Sequence, residues 1–484
     1  MCIRDRVGGR RTTGTPSEET HRSMKRQTVS LCLIARDEEA TVGMAIKSAL
    51  ALVDEVIVAD TGSRDNTRII AEGYGARVVD VPWEDDFSAA RNAALDQASC
   101  DWILVLDADE ILQPLRPVEF QRLLQDPAAA GYRLRMLSPD QTAVDDRAQR
   151  VRLFRNVPVV RFRYPIHERI TPSLERWAEA QGLTVLDSRL TVMHEPAESS
   201  HRSLKRERNL RILRKAVDAH PEEPYFPYRL GCAGLAMLDE EVLPVAGARA
   251  ALEHLQAAWR KAGRIPEERR LHLGWLPDLA ARLVSGHLVL GDLARGRAVL
   301  EQARGVFPDH PALLLQAAAV EVEGIRAGDD MADQALAAGR VRADLEHLGR
   351  AWDADFAGLV DSRVRNLYPL RYQGELALLE GRVAEAVGFF ERALDLDPDY
   401  TFGWLGMAEC SRFAGDRKRA LKLYLRTVAD NPGNHRAWLA GCSLMGDLDF
   451  HGNADSWWRQ LAARFPEHPS VRTGAGRPVE PAPA

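Results

Sequence analysis

Several aspartate pairs in this chain have the D-x-D spacing, but Asp107-Ala108-Asp109 stands apart by directly following a strand-like apolar run, Trp102 to Leu106. Asp353-Ala-Asp355, Asp395-Leu-Asp397, Asp397-Pro-Asp399 and Asp447-Leu-Asp449 lie in helical, Ala- and Leu-rich sequence and read as ordinary loop and helix-end carboxylates. In open α/β sheets, ligands bind beyond the carboxyl ends of the strands. Two carboxylates gathered there are costly unless a cation or hydroxyl donors satisfy them. A divalent ion shared with phosphate oxygens does so, because hard cations such as Mg²⁺ keep few protein ligands. Mn²⁺ or Mg²⁺ is therefore the expected cofactor, with Asp107 and Asp109 as its carboxylates.

Two further segments carry polar groups in places that need partners. Asp60 ends the apolar run Glu55 to Ala59, followed by Thr-Gly-Ser63-Arg-Asp65-Asn-Thr67. Gly62 permits a tight turn there, and Asp65 can cap the next helix. Ser63 and Asp65 serve equally well as turn residues or as ligand contacts. Asp60 needs a hydrogen-bond donor, which a ribose hydroxyl or a base N–H supplies. Phe87-Ser-Ala-Ala-Arg91-Asn92 opens the helix before the D-x-D strand. Its small residues let that helix approach a sheet closely, and Arg91 then fits only if it reaches a carboxylate or a phosphate.

Alternating elements position these groups. Val29 to Ile34 and Glu55 to Ala59 are short, mostly apolar runs of the kind buried on both faces, and Arg77 to Val81 and Trp102 to Leu106 read as a third and a fourth strand. Between them, 40–50, 65–73 and 87–98 have helical spacing. Strands separated by helices of about ten residues predict a mostly parallel sheet with helices on both faces. Tyr132 to Leu137, Gln149 to Arg155 and Thr184 to Met193 read as antiparallel strands, and a basic helix over 203–219 closes this first domain.

From about Pro221 the chain turns Ala-, Leu- and Arg-rich, and a repeat emerges. Pro398, Pro432 and Pro466 are 34 residues apart, and so are Ala386, Ala420 and Ala454. Leu370, Trp404 and Trp438 keep the same step, as do Phe390, Tyr424 and Trp458. That period, with large residues early, a small one at the helix crossing and a terminal Pro, is the tetratricopeptide signature. Such helix pairs bury their apolar faces by stacking, which leaves a concave groove. A degenerate unit spans 280–308, with an irregular insert around 329–361.

The chain has 484 residues, 45% hydrophobic and 28% charged, which predicts a globular protein of two or three domains. A net charge of −6 argues against a general nucleic-acid binder. Six scattered cysteines without a C-x-x-C pair suit a reducing compartment. No run approaches the ~18 apolar residues of a membrane helix, and the Arg-rich start lacks the apolar core of a signal peptide. The expected location is cytoplasmic, with peripheral membrane contact left open. Residues 1–25 read as a disordered or artefactual tail: the opening MCIRDR resembles a translated sequencing adapter, so the biological chain is expected to start near Met24. The expected domains are then 26–219 and the repeats of 220–470, with a disordered tail over 471–484.

Arg36-Asp-Glu-Glu39 after the first strand, Asp60-Thr-Gly-Ser-Arg-Asp65, Asp86-Phe-Ser-Ala-Ala-Arg-Asn92 and Asp107-Ala-Asp-Glu110, in this order, resemble family-2 glycosyltransferases. The resemblance covers roughly residues 28–215 and points to the bacterial branch with C-terminal tetratricopeptide repeats. It implies an α/β GT-A (nucleotide-diphospho-sugar transferase) domain with a mostly parallel sheet, followed by an all-α tetratricopeptide solenoid. It also implies a nucleotide-sugar donor, a UDP-sugar by preference, and metal-dependent, inverting transfer. By the same resemblance Asp60 meets the nucleoside, with Arg36 and Glu38 in the loop beside it and Ser63, Asp65 and Ala108 completing the donor site. Asp107 meets the ribose or the metal, Asp109 the metal bridging the diphosphate, and Arg91 the acidic cluster or the donor.

Phe154-Arg-Asn156 and Tyr164-Pro-Ile-His-Glu168 resemble later segments of that branch. Inverting transfer needs a general base on the acceptor, and Glu168 is the candidate. Many relatives place an Asp of a Glu-Asp pair there, which is not found in this segment, so another carboxylate remains open. His194, ending Thr191-Val-Met-His, is a candidate third metal ligand or a hydrogen-bonded structural residue. The helix 201–215 carries seven Lys/Arg and one acid; it is a solvated face, or it leans on donor phosphates or an anionic membrane. The repeat groove is expected to hold a protein or peptide, as partner or acceptor. The rival reading is a scaffold, an inactive transferase domain carrying a working repeat array. A nucleotidyltransferase is disfavoured, because the loop after the first strand is acidic rather than Gly-rich and basic.

Overall fold

The computed structural model describes residues 26–137, 145–194, 199–239, 246–271, 273–328, 331–351, 362–466 and 469–474. The expectations for the two terminal tails fall almost wholly outside these residues; of the insert expected around 329–361, residues 331–351 are described and form one regular helix, so that stretch is not irregular.

The first half is built from β1 (Val29–Ala35), α1 (Val42–Ala49), β2 (Glu55–Asp60), α2 (Thr67–Gly73), β3 (Arg77–Asp80), α3 (Phe87–Leu95) and β4 (Trp102–Asp107). Then come β5 (Glu110–Leu112), α4 (Pro117–Leu124), β6 (Ala129–Leu137), β7 (Asp145–Arg155), α5 (Thr171–Gln181), β8 (Thr184–His194) and α6 (Ser199–Ala219). All eight strands form one sheet in the order β3-β2-β1-β4-β7-β6-β8-β5. Pairings β1–β2, β1–β4, β2–β3 and β6–β8 are parallel; β4–β7, β6–β7 and β5–β8 are antiparallel. The sheet is therefore mixed.

β1 and β4 show why the strand sequences are almost wholly apolar. Val29, Leu31, Leu33, Trp102, Leu104 and Leu106 face one core, covered by α1 and α4. Cys32, Ile103 and Val105 face a second core on the other side, with α3 and α5. Both faces being buried, polar residues are confined to the strand ends.

The chain runs outward from β1 through β2 to β3, then returns to place β4 on the other side of β1. That reversal makes the β1/β4 boundary the switch point, where a crevice opens beyond the strand ends. In register, Ile34 lies opposite Asp107 and Ala35 opposite Asp60. The three strand-end motifs thus converge at one edge. One expectation is corrected: β6 and β8 run parallel, because α5 crosses over between them, so the last strands are not a purely antiparallel set.

Helices make up the rest: α7 (Tyr225–Asp239), α8 (Ala246–Ala262), α9 (Glu267–Arg270), α10 (Leu276–Val289), α11 (Leu293–Val306), α12 (Pro311–Ala327) and α13 (Met331–Ala351). They continue with α14 (Ser362–Asn366), α15 (Tyr368–Leu379), α16 (Val383–Leu396), α17 (Thr401–Phe413), α18 (Arg417–Asp430), α19 (His435–Asp447), α20 (His451–Arg464) and α21 (Pro469–Thr473). The 34-residue step maps onto the pairs α15/α16, α17/α18 and α19/α20. Ala386, Ala420 and Ala454 are fully buried at the crossings, with Phe390, Tyr424 and Trp458 beside them. Trp404 donates its indole N–H to the Pro398 carbonyl at 2.8 Å, and Trp438 repeats the bond to Pro432 at 2.9 Å. The turns within the pairs place Gly381, Gly415 and Asp449 at the same step with φ of 74°, 82° and 63°. Close approach also needs glycine: a Cβ at Gly374 would lie 2.7 Å from the Phe390 ring.

The join near residue 219 is not an open linker. Ile212, Leu213 and Ala216 of α6 share a core with Phe226 of α7, Leu255 of α8 and Leu283 of α10, and with Ile166, Trp83 and Phe87 of the sheet domain.

Candidate active site

At the centre of the crevice lies a buried ion network. Asp107, the last residue of β4, accepts from Arg91 Nη2 at 2.5 Å on one oxygen and from Arg152 Nη2 at 3.0 Å on the other. Arg91 sends its Nε to Glu168 at 2.7 Å. Arg152 also binds Glu110, which accepts the Asp107 backbone N–H at 2.9 Å. Arg91 is 6% and Arg152 4% exposed. Removing charges from water this far is costly, and the network persists because each carboxylate meets a guanidinium in hydrogen-bonding geometry. Burial alone would raise Asp107, but the two guanidiniums hold its carboxyl well below the usual range. Glu110 moves the other way: burial and the charge of Asp107 raise it, against the pull of Arg152.

Local structure explains how Arg91 reaches this position. Asp86 caps α3, accepting from the Ala89 N–H at 2.9 Å. Ala90 and Ala94 lie 1% exposed, letting the helix settle on the sheet with Arg91 turned inward. Its guanidinium lies 5.4 Å from the Phe162 ring centroid, a cation–π contact. Arg91 thus meets two carboxylates at once, a stronger constraint than the single partner that its position in sequence suggested.

Glu168 is aimed by a constrained loop. Arg163 and Arg169 pinch its ends through reciprocal backbone bonds of 3.0 and 3.1 Å. Within it, Tyr164 and His167 have φ of 78° and 54°, in the left-handed region that side chains disfavour. The Phe87 N–H donates to the Pro165 carbonyl at 2.9 Å, tying the loop to α3. Strain of this kind persists where surrounding contacts over-determine the backbone.

The donor-side residues divide into two groups. Arg36, Glu38, Thr61, Ala108 and Asp109 line a cleft of roughly 1090 Å³ that also takes in Arg91, Asp107 and Glu168. Glu38 lies 3.8 Å from Lys205 of α6, and burial and the nearby charge of Asp109 raise its carboxyl. Asp60, Ser63 and Asp65 lie behind this wall. Asp60 is 2% exposed and accepts from Ser63 Oγ at 2.5 Å and Arg68 Nη1 at 3.2 Å, so the donors it needs come from within the chain. Ser63 in turn accepts the Asp37 N–H at 3.0 Å. Asp65 accepts from the Glu39 N–H and from Thr67 Oγ1; burial raises it, and these bonds outweigh that and lower it. These three residues shape the Arg36–Glu39 loop.

The basic helix leans on the cleft rim. Arg211 and Lys215 pair with Asp85, Arg208 stacks over Phe87 at 5.0 Å, and Lys205 reaches Glu38. His194 ends β8 opposite Glu110 on β5, so its backbone is placed beside the D-x-D turn. Its side chain lies outside the described set, and the described residues contain no ready-made group of three metal-ligating side chains. Arg152 and Glu110 received no role from sequence, although an arginine between Val151 and Leu153 in a buried strand segment is the signal that marks it.

Residues 30–170 match the model of Glycosyl transferase family 2, and residues 377–443 match a tetratricopeptide repeat model. A TPR repeat-containing protein of Synechococcus elongatus is 44% identical over 146 residues, 30% of this chain and 36% of that one. An uncharacterised glycosyltransferase of Rickettsia bellii is 43% identical over 84 residues, 17% of this chain and 28% of that one. The chain thus spans about a third of the length of the curated relatives it matches. Among solved structures, glucosyl-3-phosphoglycerate synthase from Mycobacterium tuberculosis, in complex with Mn²⁺, UDP and phosphoglyceric acid, overlaps 39% of this chain and 76% of its own, at 21% identity and a TM-score of 0.30. A tetratricopeptide protein of Thermus thermophilus overlaps 46% of this chain and 98% of its own, at 17% identity and a TM-score of 0.34. Overlaps this loose assign no role to any residue here.

Proposed function

Residues 30–170 being a family-2 glycosyltransferase domain and residues 377–443 tetratricopeptide repeats, we propose that the chain moves a sugar from a nucleotide-diphospho-sugar, a UDP-sugar, to an acceptor in the same cleft, with inversion. The observation that carries this is the convergence of Asp107, Asp109, Arg91 and Glu168 on one cleft at the sheet's switch point.

The donor lies along the Arg36, Glu38 and Thr61 wall, with its diphosphate towards Asp109 and the basic rim of α6. Asp107, its oxygens oriented by two guanidiniums, still has lone pairs to accept from a ribose hydroxyl. The donor set suits a divalent ion held by few protein ligands: Asp109 lines the cleft, and Glu38 is raised partly by its charge, a repulsion that a cation relieves. Asp109 would hold Mn²⁺ or Mg²⁺, with Asp107 and His194 as further ligands. When bound, the ion neutralises charge on the leaving diphosphate. Glu168 takes the acceptor hydroxyl proton as that oxygen bonds to the anomeric carbon, while the bond from that carbon to the diphosphate oxygen breaks. Arg91 keeps Glu168 and Asp107 in register.

The repeats present a groove for a protein or peptide, and the five described cysteines are all free thiols, in keeping with a cytoplasmic setting. Among the described residues no helix is long and apolar enough to cross a membrane. The test is a screen of UDP-, GDP- and dTDP-sugars with Mn²⁺, read by thermal shift and by donor hydrolysis. The proposal expects one donor class to protect and to be hydrolysed slowly, and Asp109→Ala to abolish both. No protection and no hydrolysis with any donor would sink it in favour of a scaffold.

A further inference from the structure

The cleft holds more positive charge than its carboxylates balance, and the surplus collects around His167. Asp107 and Glu168 are committed to Arg91 and Arg152, Glu38 to Lys205, and Glu175 and Asp187 to Arg133. Arg150, Arg169 and Arg229 also line the cleft, and none of them has an ion pair to a carboxylate among the described residues. Arg229 comes from α7, in the helical half. Its Nη2 lies 3.2 and 3.3 Å from the two ring nitrogens of His167, and its buried Nε has no hydrogen-bond partner. Burial and the charges of Arg229 and Arg150 pull His167 down to about 3, so the ring is neutral and does not add a further cation.

The helical half also fixes this corner mechanically. Tyr225 of α7 stacks on Tyr164 at 5.3 Å, and Phe226 meets the same ring edge-on at 5.4 Å. The strained loop that carries His167 and Glu168 is therefore held between the sheet domain and α7. A half-buried guanidinium without an anion is costly to keep, and it is stabilised when an anionic group arrives.

We propose that Arg229, Arg150 and Arg169 bind an anionic group, a phosphate or carboxylate, on the acceptor, so that the helical half completes the acceptor site of the transferase cleft. This rests on the proposed transfer, since it is the candidate base Glu168, next in the chain to His167, that places an acceptor here. The acceptor class is then a hydroxyl compound carrying a phosphate or carboxylate near the hydroxyl that is glycosylated.

The experiment uses the full chain with its donor site filled by UDP and Mn²⁺, and inorganic phosphate as probe, by calorimetric titration. Phosphate should bind alongside UDP, and Arg229→Gln should weaken it about tenfold or more, the loss expected for a charge-assisted contact, with UDP affinity unchanged. Arg150→Gln, at an exposed position, should weaken phosphate in the same direction. Phosphate affinity unchanged in both variants overturns the proposal. So does competition between phosphate and UDP, or a matching loss of UDP affinity, either of which would assign the arginines to the donor. Absence of UDP binding in the unaltered chain would instead overturn the donor reading.

Discussion

Replacing Arg91 by Gln strikes the network at its hub. The substitution removes the 2.5 Å bond to Asp107 and the 2.7 Å bond to Glu168 and leaves both carboxylates without that partner. Asp107 keeps Arg152 on its second oxygen; Glu168 has no second ion pair among the described residues. Breaking a buried pair by removing one partner costs about 3–5 kcal/mol, and Asp107's remaining partner puts this case near 3. At 2–4 °C per kcal/mol for a domain of this size, the α/β transition should fall by roughly 6–12 °C in scanning calorimetry. Adding Glu168→Gln removes the stranded charge, so the double variant should recover about 1–2 kcal/mol relative to Arg91→Gln. Acid sensitivity should change too. Asp107 titrates below its unfolded value, so its contribution is complete above about pH 4 and is lost as pH falls through the depressed folded value; in Arg91→Gln that loss should be smaller. Additive single effects, or a fall of only a degree or two, would refute the view of Arg91 as the hub.

Three other perturbations test separate parts of the structure. Glu375 is 4% exposed and joined to Arg326, Arg371 and Arg436; Glu375→Gln should cost the repeat array about 3 kcal/mol. The guanidiniums overcome burial and hold that carboxyl well below its usual range, so the difference from the unaltered chain should shrink as pH falls below about 4, measured by urea unfolding at stepped pH. His167 stays neutral until about pH 3 when folded but protonates near 6.5 when unfolded, so it contributes a rise of stability with pH across that window, up to about 1.4 kcal/mol per unit; His167→Gln should flatten the profile there. Gly415 turns at φ 82°, so Gly415→Ala should destabilise by about 1–2 kcal/mol, whereas Asp449→Gly at the equivalent turn should be neutral or stabilising in thermal melts.

Much of this architecture is legible in the residues, for identifiable reasons. Strands β1, β2 and β4 announce themselves because burial on both faces removes every polar residue from Leu31 to Ile34 and from Trp102 to Leu106; β3, half-exposed at the sheet edge, is marked only by Val78 and Val79. The repeats are legible because stacking demands small residues at 386, 420 and 454 and repeats the demand every 34 residues. What stays hidden depends on pairing at a distance. β5 is only three residues long, and α4 and α5 are short and half polar, so periodicity says little about them. The parallel β6–β8 pairing depends on α5 crossing over, which no strand sequence encodes. At the site, Asp107, Asp109 and Arg91 carry local motif signals, whereas Arg152 and Arg229 arrive from β7 and α7 through tertiary packing. At Asp60 the strand-end position suggests a ligand contact, and what the sequence does not reveal is that Ser63 and Arg68, three and eight residues on, hold its carboxylate.

The central claim is that the crevice beyond β1 and β4 binds a nucleotide diphosphate through a metal at Asp109. Titrating UDP into the full chain with and without Mn²⁺, and into Asp109→Asn, tests it most directly. The account predicts binding that depends on Mn²⁺ and weakens at least about tenfold in the variant, the loss of one charged ligand. Equal UDP binding with and without Mn²⁺, unchanged by Asp109→Asn, would contradict it.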